Sequence, residues 1–232
     1  MSTVWGVDTA TTVTSSYLDC IESNYGVPTF IGRYLKTVPS RSDGLTSSEV
    51  SLIHDKNISI ALIWNSFDGS TVSTYAQGKS VATAAIDWAY STGNLYVPAG
   101  TAIFADLEQG YSVTADWIRG WVDTFYSYNP SGAPSPEYLP GMYANLEYGT
   151  FPSAFCEAVA SDTNVPLAYI WANNASAGLS TKANAPISVS PPSNLQCNGL
   201  IVGWQYGING NLCSTGPIDT DVWDPSYASV FG

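Results

Sequence analysis

The apolar residues of this chain change their spacing again and again from end to end. Short apolar runs and alternations predict strands over 4–10, 29–35, 58–65, 102–108, 139–145, 167–173, 200–206 and 218–223. The run at 58–65 is almost unbroken, as in a strand covered on both faces. Between these runs the spacing turns helical. Leu18, Ile21 and Tyr25 share one face of a helix over 15–25, which Gly26 stops. Thr46-Ser47-Ser48-Glu49 reads as a capping signal for a helix reaching Lys56. Further helices are predicted over 74–90, from Ser112 or Thr114 to Tyr128, and over 151–161. The stretch 175–195 is rich in Ser, Pro and Asn and is expected to be a long loop with at most a short helix.

Eight strands with intervening helices in 232 residues predict an α/β fold, a single (β/α)8 TIM-type barrel over 1–232, with an irregular segment in place of a late helix. Active sites of such barrels lie at the C-terminal ends of the strands. Polar residues collect there: Asp8, Asp106 and Glu108, Asn145, Asn173, Gln205, then Asp219 and Asp221 on the last strand. Side chains alternate along a strand, so Asp106 and Glu108 share the mouth face while Ile103, Ala105 and Leu107 face the helices. Two carboxyls held close push one pKa up. A neutral carboxyl suits a general acid for a glycosidic oxygen, and an ionised neighbour suits the developing positive charge. Asp219 and Asp221 share a face in the same way, although Asp221 could instead cap the last turn.

Composition narrows the field. Nineteen acids against seven bases give a net charge of −12, with no basic cluster to attract nucleic acid or an anionic membrane. No apolar stretch is long enough to span a bilayer. The only histidine, His54, sits late in a predicted helix as a surface residue, so neither a Ser-His-Asp set nor a two-histidine mechanism can be assembled. No cysteine pair has metal-ligand spacing, and neither metal nor cofactor is expected. Eight Trp and fifteen Tyr supply flat apolar faces, either as core or as stacking planes for sugars; Tyr143, Trp171 and Trp204 are assigned to stacking.

Several segments then resemble one family. Trp5-Gly6-Val7-Asp8-Thr9, Phe30-Ile31-Gly32-Arg33-Tyr34-Leu35, Ala105-Asp106-Leu107-Glu108, Trp204-Gln205-Tyr206 and Ile218-Asp219-Thr220-Asp221 fall in the order seen in the glycoside hydrolase family 25 lysozymes. They look still more like the glycoside-hydrolase-like barrels known as domain of unknown function 1906. The resemblance implies that Glu108 is the catalytic acid and that Asp106, Asp8 and Asp219 support it. Asp221 stands where the lysozymes usually carry Asn. Arg33 would bring a fixed cation to the mouth if it points inward.

The resulting expectation is a monomeric glycosidase acting on an amino-sugar polymer, such as peptidoglycan or a chitin-like glycan. Its substrate-binding residues would be Asp221, Arg33, Tyr143, Asn145, Trp171, Trp204 and Gln205. The alternative is a catalytically silent barrel that binds glycans or serves a structural or storage role. Few lysines and an acidic balance suggest a secreted or cell-wall-associated protein, although no signal peptide is visible. The sequons at Asn57 and Asn174 point the same way. Among the four cysteines, Cys197 and Cys213 are expected to bond because they flank the seventh strand, leaving Cys20 and Cys156 as buried thiols. Convergent acids predict greatest stability in mildly acid solution.

Overall fold

The computed structural model describes residues 3–107, 110–132 and 136–232. The chain runs through β1 (Val4–Asp8), α1 (Ser15–Asn24), β2 (Phe30–Tyr34), α2 (Ser47–Asp55), β3 (Ser59–Trp64), α3 (Tyr75–Asp87), β4 (Ala102–Leu107), α4 (Ala115–Ser127), β5 (Leu139–Ala144), α5 (Phe151–Ser161), β6 (Tyr169–Ala172), β7 (Leu200–Gly210) and β8 (Ile218–Trp223). Four of the helices begin the same way. The hydroxyls of Thr14, Thr46, Thr74 and Thr114 accept from the amides of Tyr17, Glu49, Gln77 and Trp117. Each supplies an acceptor to an amide that the first helical turn leaves unpaired. Helix α5 instead carries Pro152 in its first turn, with no side-chain cap.

The eight strands close into a barrel in chain order. Strands β1 to β7 pair in parallel, but β8 runs antiparallel to both β7 and β1. The last strand therefore enters the barrel from the mouth and leaves at the floor. An eleven-residue β7 followed by a short turn makes this reversal natural, since a hairpin needs no crossover helix. Between β6 and β7 the long loop holds one 3-10 turn, Lys182–Asn184.

Alternation along the strands sorts the core into two layers. Phe30, Ala61, Ile63, Ala102, Phe104, Tyr143, Trp171, Val202 and Trp223 fill the barrel. Ile31, Leu62, Ile103, Ala105, Leu107, Met142 and Ile170 face outward onto the helices. Inside, Phe104, Trp171 and Trp223 meet edge to face, with centroids 5.4 to 5.7 Å apart. The C-terminal segment closes the floor: Phe231 stacks on Phe30 at 4.7 Å, and Gly232 exchanges two backbone hydrogen bonds with Ile60.

The cysteines pair differently from the expectation. Cys20 bonds Cys213, and Cys156 bonds Cys197, so Cys197 and Cys213 are not partners and neither helical cysteine is a free thiol. Sequence nearness across β7 misled because the two loops leave opposite ends of that strand. Each instead meets a helix, α1 for Cys213 and α5 for Cys197. The sequon at Asn174 is also corrected. Its side chain is buried, accepts from Leu146 N at 3.0 Å and donates to Asn145, so it serves loop geometry and has no room for a glycan. Asn57 is exposed.

Candidate active site

Strand pairing brings the acids together. Asp8 ends β1 directly opposite Asp219, and Gly6 lies opposite Asp221, so all three carboxyls rise on the interior face of one antiparallel pair. Asp219 reaches the mouth because β8 is reversed: it stands at the beginning of its strand, not at the end. Asp106 comes from β4, whose Ala102 and Phe104 line the interior below it. Glu108 lies outside the described residues.

A polar network joins these groups. The Gln205 side chain donates from Nε2 to Asp8 Oδ2 and to Asp219 Oδ2, both at 2.9 Å. Asp219 Oδ1 also accepts from the backbone of Asn209 at 2.7 Å. Trp171 Nε1 donates to Asp221 Oδ1 at 3.0 Å. The Tyr34 hydroxyl reaches Asp106 Oδ2 at 3.5 Å. Gly32 makes the arrangement fit, since a Cβ there would stand 2.6 Å from both Asp8 Cβ and the Trp171 ring.

Burial dominates the electrostatics. It pushes the Asp8 carboxyl well above the usual carboxylate range, reinforced by the charge of Asp219 and opposed by the Gln205 hydrogen bond. Asp221 is likewise raised well above that range, first by burial and then by the charges of Asp8 and Asp219. Asp219 is raised by burial and moderated by its bonds to Asn209 and Gln205. Tyr143 is pushed up by burial and by the surrounding acids. Asp8, Asp219 and Asp221 thus resist ionisation. Among the described residues, no group of three or more His, Cys, Asp or Glu could hold a metal ion.

Several residues expected at the mouth sit elsewhere. Arg33 points outward, 0% exposed, with Nε 2.6 Å from Glu49 Oε1 and its other nitrogens on the carbonyls of Thr9 and Asp43. Strand parity explains this: Phe30, Gly32 and Tyr34 take the interior face of β2, leaving Ile31 and Arg33 for the helix side. Glu49 turns to Arg33 and to the amide of Val13, and so does not complete the capping box that its spacing suggested. Trp204 faces out as well, 6% exposed, its Nε1 on Asn174 O at 2.7 Å. Trp171 does face inward but is 0% exposed beneath the acids, so it braces Asp221 and offers no open stacking plane. Asn145 organises the turn after β5 by accepting from the amides of Glu147 and Tyr148 and donating to Asn173 O. Gln205 points inward, with Nε2 committed to the two carboxylates. Tyr143 stands against Trp171 at 5.0 Å in the interior. Tyr34 is a site residue that motif spacing does not single out; its alternation with Gly32 and Phe30 is the signal that places it.

Comparison with known proteins agrees with this architecture. The chain superposes on an uncharacterized protein from B. stearothermophilus with a TM-score of 0.88 and 33% identity, over 99% of this chain and 100% of that one. The Tat-secreted protein Rv2525c of Mycobacterium tuberculosis, solved with L-tartrate, shares the fold at a TM-score of 0.60 and 13% identity, covering 96% of this chain and 97% of that one. A muramidase from Acremonium alcalophilum shares it at a TM-score of 0.56 and 12% identity, covering 98% and 96%. No protein of curated function matches the sequence. The family model described as Rv2525c-like, glycoside hydrolase-like domain matches residues 24–196. The chain belongs to this Rv2525c-like family of glycoside hydrolase-like domains.

Proposed function

We propose that this protein is a glycosidase that cleaves β-glycosidic bonds in an amino-sugar polymer, peptidoglycan or a chitin-like glycan, with Glu108 as general acid. The observation that carries the reading is the convergence of Asp8, Asp106, Asp219 and Asp221 in the mouth of a barrel whose fold a muramidase shares. Glu108 gives its proton to the glycosidic oxygen as the bond to the anomeric carbon breaks. Asp106, held by Tyr34, orients the substrate N-acetyl group or stabilises the oxocarbenium ion, and water completes the hydrolysis. Asp8 and Asp219 form the opposite wall, fixed by Gln205. Two disulfides among four cysteines, and a Tat-secreted protein of the same fold, support action outside the cytosol. Among the described residues, no helix is long and apolar enough to cross a membrane.

The test is hydrolysis of purified cell wall and amino-sugar oligomers. Replacing Glu108→Gln removes a general acid and should lower turnover by about 10²- to 10⁴-fold with the fold intact. A wild-type protein that cuts nothing in a broad glycan panel overturns the proposal. One observation favours a second reading, a barrel that binds glycans without cutting them: Trp171 and Trp204 are buried, leaving fewer planes for gripping a chain against strain. Binding without hydrolysis on a glycan array would establish it.

A further inference from the structure

Asp221 differs from the other acids of the mouth. It is fully buried on the interior face of β8, two residues deeper than Asp219. Its Oδ1 has the Trp171 N–H. Its Oδ2 is shut off from solvent and, among the described residues, meets no N–H group. The carboxyl of Asp8, the diagonal neighbour of Asp221 on the paired strand β1, interacts with the Asp221 carboxyl side chain to side chain. Two carboxylates in contact cannot both be ionised at low cost, whereas a single proton turns their repulsion into a short hydrogen bond.

Among the described residues around the pair, none brings a cation to it. Around it stand Tyr34 on β2, Asp106 on β4, Tyr143 on β5, Trp171 on β6, Gln205 on β7 and Asp219 on β8. All are acids or neutral groups. The nearest candidate cation on the adjoining strand, Arg33, is turned outward and occupied by Glu49. Gln205 cannot help Asp221, because its Nε2 is spent on Asp8 and Asp219.

We infer that Asp221 is a positioning residue whose carboxyl shares one proton with Asp8, and that this proton locks a line of contacts, Trp171 to Asp221 to Asp8 to Gln205 to Asp219, running from the barrel core to the mouth. Burial raises Asp8 and Asp221 in the direction such sharing requires. Asp219, half-buried, is the end of the line that meets solvent. The proton is a property of the fold, and only its bearing on catalysis rests on the glycosidase reading. The consequence for stability has a definite sign. A carboxyl raised in the folded state leaves the fold fully stable below the unfolded value of about 4, and stability falls as pH climbs through the raised folded value.

Infrared spectra of the folded wild type, with aspartate carboxyls isotopically labelled, test the proton directly. A neutral carboxylic-acid band should persist near pH 7, where free aspartates are ionised. In Asp221→Asn the amide can donate to Asp8 and still accept from Trp171, so the band should vanish. The fall in melting temperature from about pH 5 to 8 should shrink by roughly half or more. Absence of the band in the wild type overturns the inference, and that measurement needs no variant to fold. A band that survives in Asp221→Asn also overturns it. Neither measurement involves substrate, so an uncut glycan panel would refute the glycosidase reading alone, and a missing band would refute the shared proton alone.

Discussion

The barrel is closed by two unlike sectors. From β1 to β6 the strands are parallel and sheathed by α1 to α5, and apolar contact does most of the holding. Helices α3 and α4 touch backbone to backbone at Gly78 and Gly120. A Cβ on Gly120 would stand 2.1 Å from Tyr75 O, and one on Gly78 would stand 2.1 Å from Trp117 O. From β6 onward no α-helix remains among the described residues. The loop 173–199 lies there as irregular chain, tied by Lys182 N to Tyr25 O, Gly178 N to Tyr206 O and Asn194 N to Leu146 O. Both disulfides reach from this sector into the other, one to α1 and one to α5. Where a helix would have supplied buried area, cross-links and backbone hydrogen bonds supply the constraint. The sector so braced carries Gln205, Asp219 and Asp221, three members of the polar network at the mouth.

Removing the cross-links should separate the sectors most strongly. In the chain-entropy model, closing the 193-residue separation of Cys20 and Cys213 contributes about 5 kcal/mol, and closing the 41-residue separation of Cys156 and Cys197 about 4 kcal/mol. Reduction should therefore lower the melting temperature sharply. Amide exchange should rise over 174–217 before it rises in β2 to β5. Uniform exchange across both sectors would mean that the irregular loop is held by its hydrogen bonds alone.

The helix-sheathed sector has its own polar exception, the Arg33–Glu49 pair. Replacing Arg33→Leu leaves the Glu49 carboxylate buried with only the Val13 amide, and should cost about 3 to 5 kcal/mol in denaturant unfolding. Because Arg33 faces away from the mouth, the proposed glycosidase activity of the variant's folded fraction should keep its KM. A KM change with stability preserved would return Arg33 to the proposed substrate site.

A smaller effect is expected at the crossing of α3 and α4. Ala is the better helix former, yet Gly120→Ala should destabilise by about 1 to 3 kcal/mol, because its methyl meets backbone and not a movable side chain. A neutral or stabilised Gly120→Ala would show that the two helices can separate at little cost and that this sector is packed more loosely than its glycine contacts imply.

Much of this architecture is legible in the sequence alone. The strand and helix succession, the loop at 175–195 and the inward Asp106 follow from period and parity, which depend only on local sequence. The direction of β8, the disulfide partners, the outward turn of Arg33 and Trp204 and the depth of Trp171 do not. Each depends on which strand or helix lies alongside, and that is set when the barrel closes. Asp219 shows the division most clearly: its residue type announces an acid near the end of the chain, but only the reversal of β8 puts it opposite Asp8. The buried carboxyl of Asp221 is likewise silent in sequence, because a carboxyl acquires a raised pKa from the water it loses and the charges it meets, and both come from residues distant along the chain.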